Sequence, residues 1–154
     1  DNPVKEGDFF LSDIGALYNG YHSDMTRTVA VHHATDEMEK IYNIVLQAQL
    51  TALKKVKSGV KTCSVDKTAR DIISNEGYGE YFGHSTGHGV GLDIHEQPNV
   101  SVSGETILSN NMVITVEPGI YLPNKFGVRI EDMVLVTNDG CHNFAALSKE
   151  LIVI

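Results

Sequence analysis

Sixteen residues in the middle of the chain, Gly83–Pro98 (GHSTGHGVGLDIHEQP), hold three of its seven histidines and four of its glycines. A glycine gives up more backbone entropy on ordering than any other residue. Such density is kept where the backbone must bend sharply or lie close to another group. His84, His88 and His95 follow one another at intervals of four and seven residues. On a straight strand the odd step from His88 to His95 would send those two rings to opposite faces. Glycines at 87, 89 and 91 permit a bent path that gathers the rings at one place. On composition alone the stretch also fits a surface loop with solvated histidines, and carboxylates elsewhere in the chain decide between the two.

Those carboxylates lie in strand-like runs. Phe9 to Tyr18 and Tyr21 to Val31 are joined by Asn19-Gly20, a strong hairpin signal, because a type I′ turn needs positive φ at both central residues. The turn pairs Tyr18 with Tyr21, which sets Asp13 opposite Thr26 and leaves Asp24 two residues away on the same face. Asp13 and Asp24 are then diagonal neighbours, roughly 7–8 Å apart at the backbone. Like charges this close raise each other's pKa unless a cation lies between them. The second half repeats the pattern, with Glu117 ending ITVEP and Glu131 inside VRIED. A reversal centred on Asn124 places these two glutamates face to face. Each acidic pair alone also fits solvated strand carboxylates, but four carboxylates with one or more imidazoles suit a ligand set for two divalent metals. Oxygen-dominated ligation favours Mn²⁺, or a tolerant Co²⁺ or Fe²⁺, over thiolate-bound zinc. Two such ions, roughly 3.5–4 Å apart, acidify a water and polarise a carbonyl, which is hydrolytic chemistry.

Between the two hairpins, Asp36 opens a helix with Glu39 as its capping-box partner, and Ile41, Val45, Ala48, Ala52 and Val56 form the inward stripe. Lys54, Lys55 and Lys57 suit its C-terminal end, and Gly59 can stop it. A second helix runs from Ser64 to Glu76, stopped by Gly77. Met112–Val116 and Val128–Thr137 read as strands around a reversal at 123–127, and Leu151–Ile154 as a last strand. Strands, helices, loop, strands in that order predict an α+β fold with an antiparallel sheet.

A chain of 154 residues is one domain's worth. A net charge of −8 disfavours nucleic acid as a partner. No apolar run is long enough to span a bilayer. Cys63 and Cys141 have no paired spacing, so neither a disulfide framework nor a zinc ribbon is indicated, and a reducing, cytoplasmic setting is expected. The short polar lead before the first strand reads like a piece cut from something longer.

DIGALYNGYHSDMTRT, GHGVGLDIHEQP, TVEPGIY and GVRIED together resemble the signature stretches of the pita-bread metallopeptidases, the family of methionine aminopeptidase, prolidase, aminopeptidase P and creatinase. The resemblance runs from about Gly7 to the end of the chain. It implies a curved antiparallel sheet with flanking helices and two divalent metal ions, manganese foremost, with cobalt, iron and zinc as alternatives. Asp13, Asp24, His88, Glu117 and Glu131 would be the five metal ligands, with Asp24 and Glu131 bridging. Glu117 would take the proton of the attacking water, His95 would stabilise the tetrahedral intermediate, and His84 would line the substrate site. TRT after Asp24, His84 four residues before His88, and Arg129 in VRIED resemble the proline-specific branch. Methionine aminopeptidases usually lack that Arg-Ile-Glu-Asp setting. The implied substrates are dipeptides or short peptides with proline second, and the implied assembly is a homo-oligomer, most simply a dimer. The family's catalytic domain opens with further helices and a strand, and most proline-specific members add a separate N-terminal domain. Both are missing from these 154 residues, so the isolated chain is expected to associate and to be a poor enzyme.

Competing readings are a methionine aminopeptidase-type exopeptidase, a serine hydrolase using Ser85, and a non-catalytic binding module of the same fold. Gly83-His84-Ser85-Thr86-Gly87 fits a nucleophile elbow, with His142 following, but an elbow needs a strand before it and a helix after it. The glycines and Pro98 oppose that helix. HEQPN lacks the second histidine of a zincin helix, and GHGVG has Leu92 where a dinucleotide fingerprint needs glycine. A binding module should have lost ligands, and all five positions are filled.

Overall fold

The computed structural model describes residues 3–154. The first hairpin forms as its turn dictates, with Asn19 at φ 50° and Gly20 at φ 84°. Asp13 faces Thr26 in the antiparallel ladder of β1 (Phe9–Ile14) and β4 (Met25–Ala30). The runs expected to be continuous are each interrupted, so that a tip of β2 (Leu17–Tyr18) and β3 (Tyr21–His22) stands apart. The cause is a pinch. Gly15 lies so close to the Ser23 carbonyl that a Cβ there would sit 2.8 Å from the oxygen. Ala16 and Ser23 are tied across the gap through the Ser23 hydroxyl and the Ala16 carbonyl. Asp24 follows the pinch, off the ladder and buried.

Helix α1 (Asp36–Lys55) is capped by Thr35 rather than Asp36, the Thr35 hydroxyl accepting from the Met38 amide at 3.3 Å. Asp36, Glu37 and Glu39 instead complement the positive end of the helix dipole. The expected stripe Ile41, Val45, Ala48, Ala52 and Val56 is fully buried. Helix α2 (Thr62–Asn75) starts two residues earlier than expected. The Thr106 and Gly104 carbonyls accept its opening amides, Thr62 and Cys63, in place of a side-chain cap. Gly77, at φ 87°, ends the run as expected.

A five-stranded sheet packs against the helices in the order β11-β10-β7-β5-β6: β5 is Gly87–Gly89, β6 Glu96–Val100, β7 Val113–Val116, β10 Asp132–Val136 and β11 Cys141–Asn143. The expected strand from Val128 onward is divided. Phe126–Arg129 (β9) pairs with Gly119–Leu122 (β8), whereas β10 pairs with β7. One register runs through both ladders, Gly119 opposite Arg129 and Val116 opposite Asp132, so Glu117 and Glu131 come opposite each other in the gap between them. Ile114, Val116, Ile120, Val128, Ile130, Val134 and Val136 fill the core from this side.

Leu151–Ile154, expected as a last strand, forms only an isolated parallel bridge, Val153 to Ala30. The segment before the histidine stretch is a 3-10 turn (Gly79–Tyr81). His142 is exposed on β11. Among the described residues no helix is long and apolar enough to cross a membrane.

Candidate metal centre

The glycine-rich stretch is tight because β5 is wedged between β6 and β7. A Cβ at Gly87 would lie 2.0 Å from the Thr115 carbonyl oxygen, and one at Gly89 would lie 2.2 Å from that of Gln97. Both contacts are with backbone, which cannot swing aside. Gly87→Ala is therefore expected to cost about 1–3 kcal/mol or more, read as a lowered denaturation midpoint in urea. The β5–β6 pairing shifts register between Gly87 and Gly89, and the chain turns back so that the His88 and His95 ring centres are 4.3 Å apart. The bent path inferred from the glycines is thus present.

His88 Nδ1 faces the Gly89 carbonyl at 3.0 Å, which leaves Nε2 pointing at carboxylates: Glu117 Oε1 at 3.2 Å and Asp24 Oδ2 at 3.6 Å. Burial opposes a charged His88 ring. The Glu117 hydrogen bond, the Gly89 carbonyl and the Glu117 and Asp24 charges outweigh it, so the His88 pKa is raised. Thr115 joins the two sides of the site, its hydroxyl accepting from the His88 amide and donating to Glu117 Oε1 at 2.9 Å. The Glu117 amide donates to the Thr86 carbonyl at 2.7 Å.

Asp24, His88 and Glu131 each offer a ligand atom, and these atoms all lie within 4.8 Å of one another. Glu131 is 1% exposed. Its Oε2 accepts from the Thr26 hydroxyl at 2.6 Å, while its buried Oε1 has no hydrogen-bond partner among the described residues. Burial, then the charges of Glu117, Asp24 and Asp13, push its pKa to about 8. Asp24 is raised as well, by burial first and then by the Asp13 charge. An orphaned carboxylate oxygen within a knot of acids is a site that fits a cation. Asp13 is placed differently. It is about half exposed, and its Oδ2 is held by Arg129 Nη2. Of the five residues named as ligands, three are gathered here, a fourth (Glu117) touches His88, and the fifth pairs with a guanidinium.

Arg129 also donates to the Thr26 hydroxyl at 3.1 Å and to the Tyr121 hydroxyl at 3.0 Å. Tyr121 in turn lies 3.0 Å from His84 Nε2, and His84 Nδ1 lies 2.8 Å from the Ser85 carbonyl. A carbonyl only accepts, so Nδ1 carries the His84 proton and Nε2 accepts from Tyr121. Burial first, with Arg129 and Arg70 adding to it, lowers the His84 pKa and keeps the ring neutral at neutral pH. A cleft of about 730 Å³ opens beside these groups, lined by His84, His88, His95, Glu96, Glu117 and Arg129. Ser85 sits between the 3-10 turn and a strand, so a nucleophile elbow is not formed.

Thr26, Thr115 and Tyr121 complete the site, and two of them carried a readable signal. Thr26 is the residue the hairpin register sets opposite Asp13, and Thr115 precedes Glu117 by two on the same strand face. Tyr121, in TVEPGIY, has no such signal, since its place between His84 and Arg129 depends on distant segments meeting.

A buried cluster of two acids and one imidazole, with His88 and Glu117 also lining the cleft, is a group that could hold a divalent cation. The sequence matches metallopeptidase family M24 over residues 1–138. It is 49% identical over 152 residues to an Xaa-Pro dipeptidase of Pyrococcus horikoshii, an alignment covering 99% of this chain and 43% of that protein. Among solved structures, an Xaa-Pro dipeptidase from Bacillus anthracis superposes with a TM-score of 0.97 at 50% identity, covering 98% of this chain and 42% of that one. The prolidase from Pyrococcus horikoshii gives 0.97 at 49%, covering 99% and 44%. The chain therefore has the pita-bread α+β fold and belongs to metallopeptidase family M24. It spans less than half the length of the curated relatives it matches.

Proposed function

We propose that this chain carries the metal centre of an Xaa-Pro exopeptidase, which removes the first residue from dipeptides or short peptides with proline second. The observation that carries this reading is the buried Asp24–His88–Glu131 cluster, with its orphaned oxygen, beside a cleft lined by a neutral His84. Asp13, Asp24, His88, Glu117 and Glu131 would hold two divalent ions, for which the oxygen-rich donor set favours manganese. When bound, such ions supply an acidified water and polarise the scissile carbonyl.

The chain's own groups do the rest. Glu117 accepts a proton at its carboxylate and is kept in position by the Thr115 hydroxyl and the Thr86 carbonyl. His95, beside His88, faces the cleft and donates to the oxygen of the tetrahedral carbon. His84 presents a neutral ring suited to an apolar proline face, held by Tyr121 and Arg129. Arg129 balances the Asp13 charge and brings a fixed, planar cation to the substrate side. A cytoplasmic setting and a homodimer belong to the same reading, and the exposed Leu17, Tyr18 and Tyr21 offer apolar surface for self-association.

Discrimination tests the reading. With Mn²⁺, the full-length protein is expected to turn over Xaa-Pro dipeptides with a kcat/KM about tenfold or more above that for Met-Ala, the range one well-fitted pocket contact supplies. Equal or better turnover of methionyl peptides would move the protein to the methionine aminopeptidase type.

A further inference from the structure

The residues that carry His84 belong to no helix and no strand. From Phe82 to Thr86 the chain runs without a ladder partner, and its backbone is gripped instead by two side chains of α2. Asp66 and Arg70, four apart on one helix face, form a forked pair, with Arg70 Nε and Nη2 each 2.9 Å from an Asp66 oxygen. The same guanidinium donates to the Phe82 carbonyl at 2.8 Å and to the His84 carbonyl at 2.9 Å. Asp66 Oδ1 accepts from the Thr86 amide at 3.3 Å and from its hydroxyl at 2.8 Å. Residues 82, 84 and 86 are thus all held from one side. Arg70 also stacks on Phe82, 4.2 Å from the ring centre, and Phe82 meets the His84 ring edge-on at 5.0 Å.

Asp66 is 1% exposed. Burying an ion pair is a poor route to stability, because desolvation offsets the attraction. What a planar fork supplies is fixed geometry. The clamp touches the backbone and ring stack of His84, and through the Thr86 carbonyl it reaches the Glu117 amide. None of its hydrogen bonds goes to a side chain of Asp13, Asp24, His88, Glu117 or Glu131, and toward Glu117 it reaches the backbone amide alone.

We propose that Asp66 and Arg70 are positioning residues that set substrate affinity by fixing His84, without contributing to metal binding. This rests on the Xaa-Pro reading above. The test is a double-mutant cycle on the full-length, Mn²⁺-loaded protein. The probe is an alanyl-proline analogue whose scissile carbonyl is reduced to a methylene, with Kd measured by calorimetry and metal content by elemental analysis. Arg70→Met is expected to weaken binding about tenfold with metal content unchanged, and by about twofold or less when His84→Ala is already present. Asp66→Asn, which keeps an acceptor for Thr86 but loses the charge that Arg70 forks, is expected to show the same dependence on His84 and serves if Arg70→Met does not fold. Equal losses with and without His84, or metal lost in step with affinity, would overturn the clamp. An unmodified protein that fails to bind the analogue would overturn the peptidase reading instead.

Discussion

Glu131→Gln is expected to leave the chain unable to retain metal and, in the full-length protein, to abolish measurable Xaa-Pro hydrolysis. The loss should exceed the roughly 10–100-fold that removal of a residue merely supporting a ligand costs. The buried Oε1 that has no protein partner is replaced by an amide that is a far weaker cation donor. Gln is nearly isosteric, so the Thr26 hydrogen bond keeps an acceptor and the fold is retained. Elemental analysis after dialysis against Mn²⁺ reads the first effect and a coupled proline-release assay the second. Unchanged metal content in Glu131→Gln would remove this residue from the centre.

Relative to Glu131→Gln, the metal-free protein is expected to lose stability as pH rises from about 4.5 to about 8 and to level off above that. The sign follows from Glu131. Its pKa is raised to about 8 in the folded chain against 4.5 for the ordinary group. Within this window the folded state keeps a proton that the unfolded state has released, so raising the pH favours unfolding. The limiting slope from one such group is about 1.4 kcal/mol per pH unit. Asp24, also raised, works in the same direction from a lower starting pH. A divalent ion takes over the role of the proton, so Mn²⁺ should flatten the profile, and its uptake at pH 7 should release about one proton. Urea denaturation across pH with and without Mn²⁺, and calorimetry in buffers of different ionisation enthalpy, read both effects. A metal-free midpoint that does not fall relative to Glu131→Gln over this window would contradict the buried-acid account.

What was legible in the sequence was whatever local chemistry determines. Asn19-Gly20 set a register that put Asp13 opposite Thr26, and the periodic stripe of α1 named its buried face. The strand interruptions were not legible, because they arise where one segment approaches another: Gly15 against the Ser23 carbonyl, and the Glu117 and Glu131 amides turned to the Thr86 and Thr26 carbonyls. The cap of α1 was misplaced by one residue because Thr35 and Asp36 are both good capping types and only the fold selects between them. The pairing of Asp13 with Arg129, residues 116 apart in sequence, depends on their two hairpins meeting face to face, which no spacing rule encodes.

The turn between β8 and β9 acts as a length standard for the metal centre. Leu122 pairs with Phe126, Asn124 adopts φ 59° at the apex, and Lys125 is tied to Glu37 of α1 at 2.6 Å. From that apex one uninterrupted register counts back to Glu117 on one arm and Glu131 on the other. Side chains alternate faces along a strand, so inserting one residue in either arm would carry one of the two glutamates to the far side of the sheet while leaving most of the core pairing repairable. The Tyr18–Tyr21 tip carries the same kind of register to Asp13 and Thr26, so length changes in its arms should be resisted for the same reason. Across relatives the distance from each glutamate to the apex is expected to be held constant while the sequence of the turn itself varies.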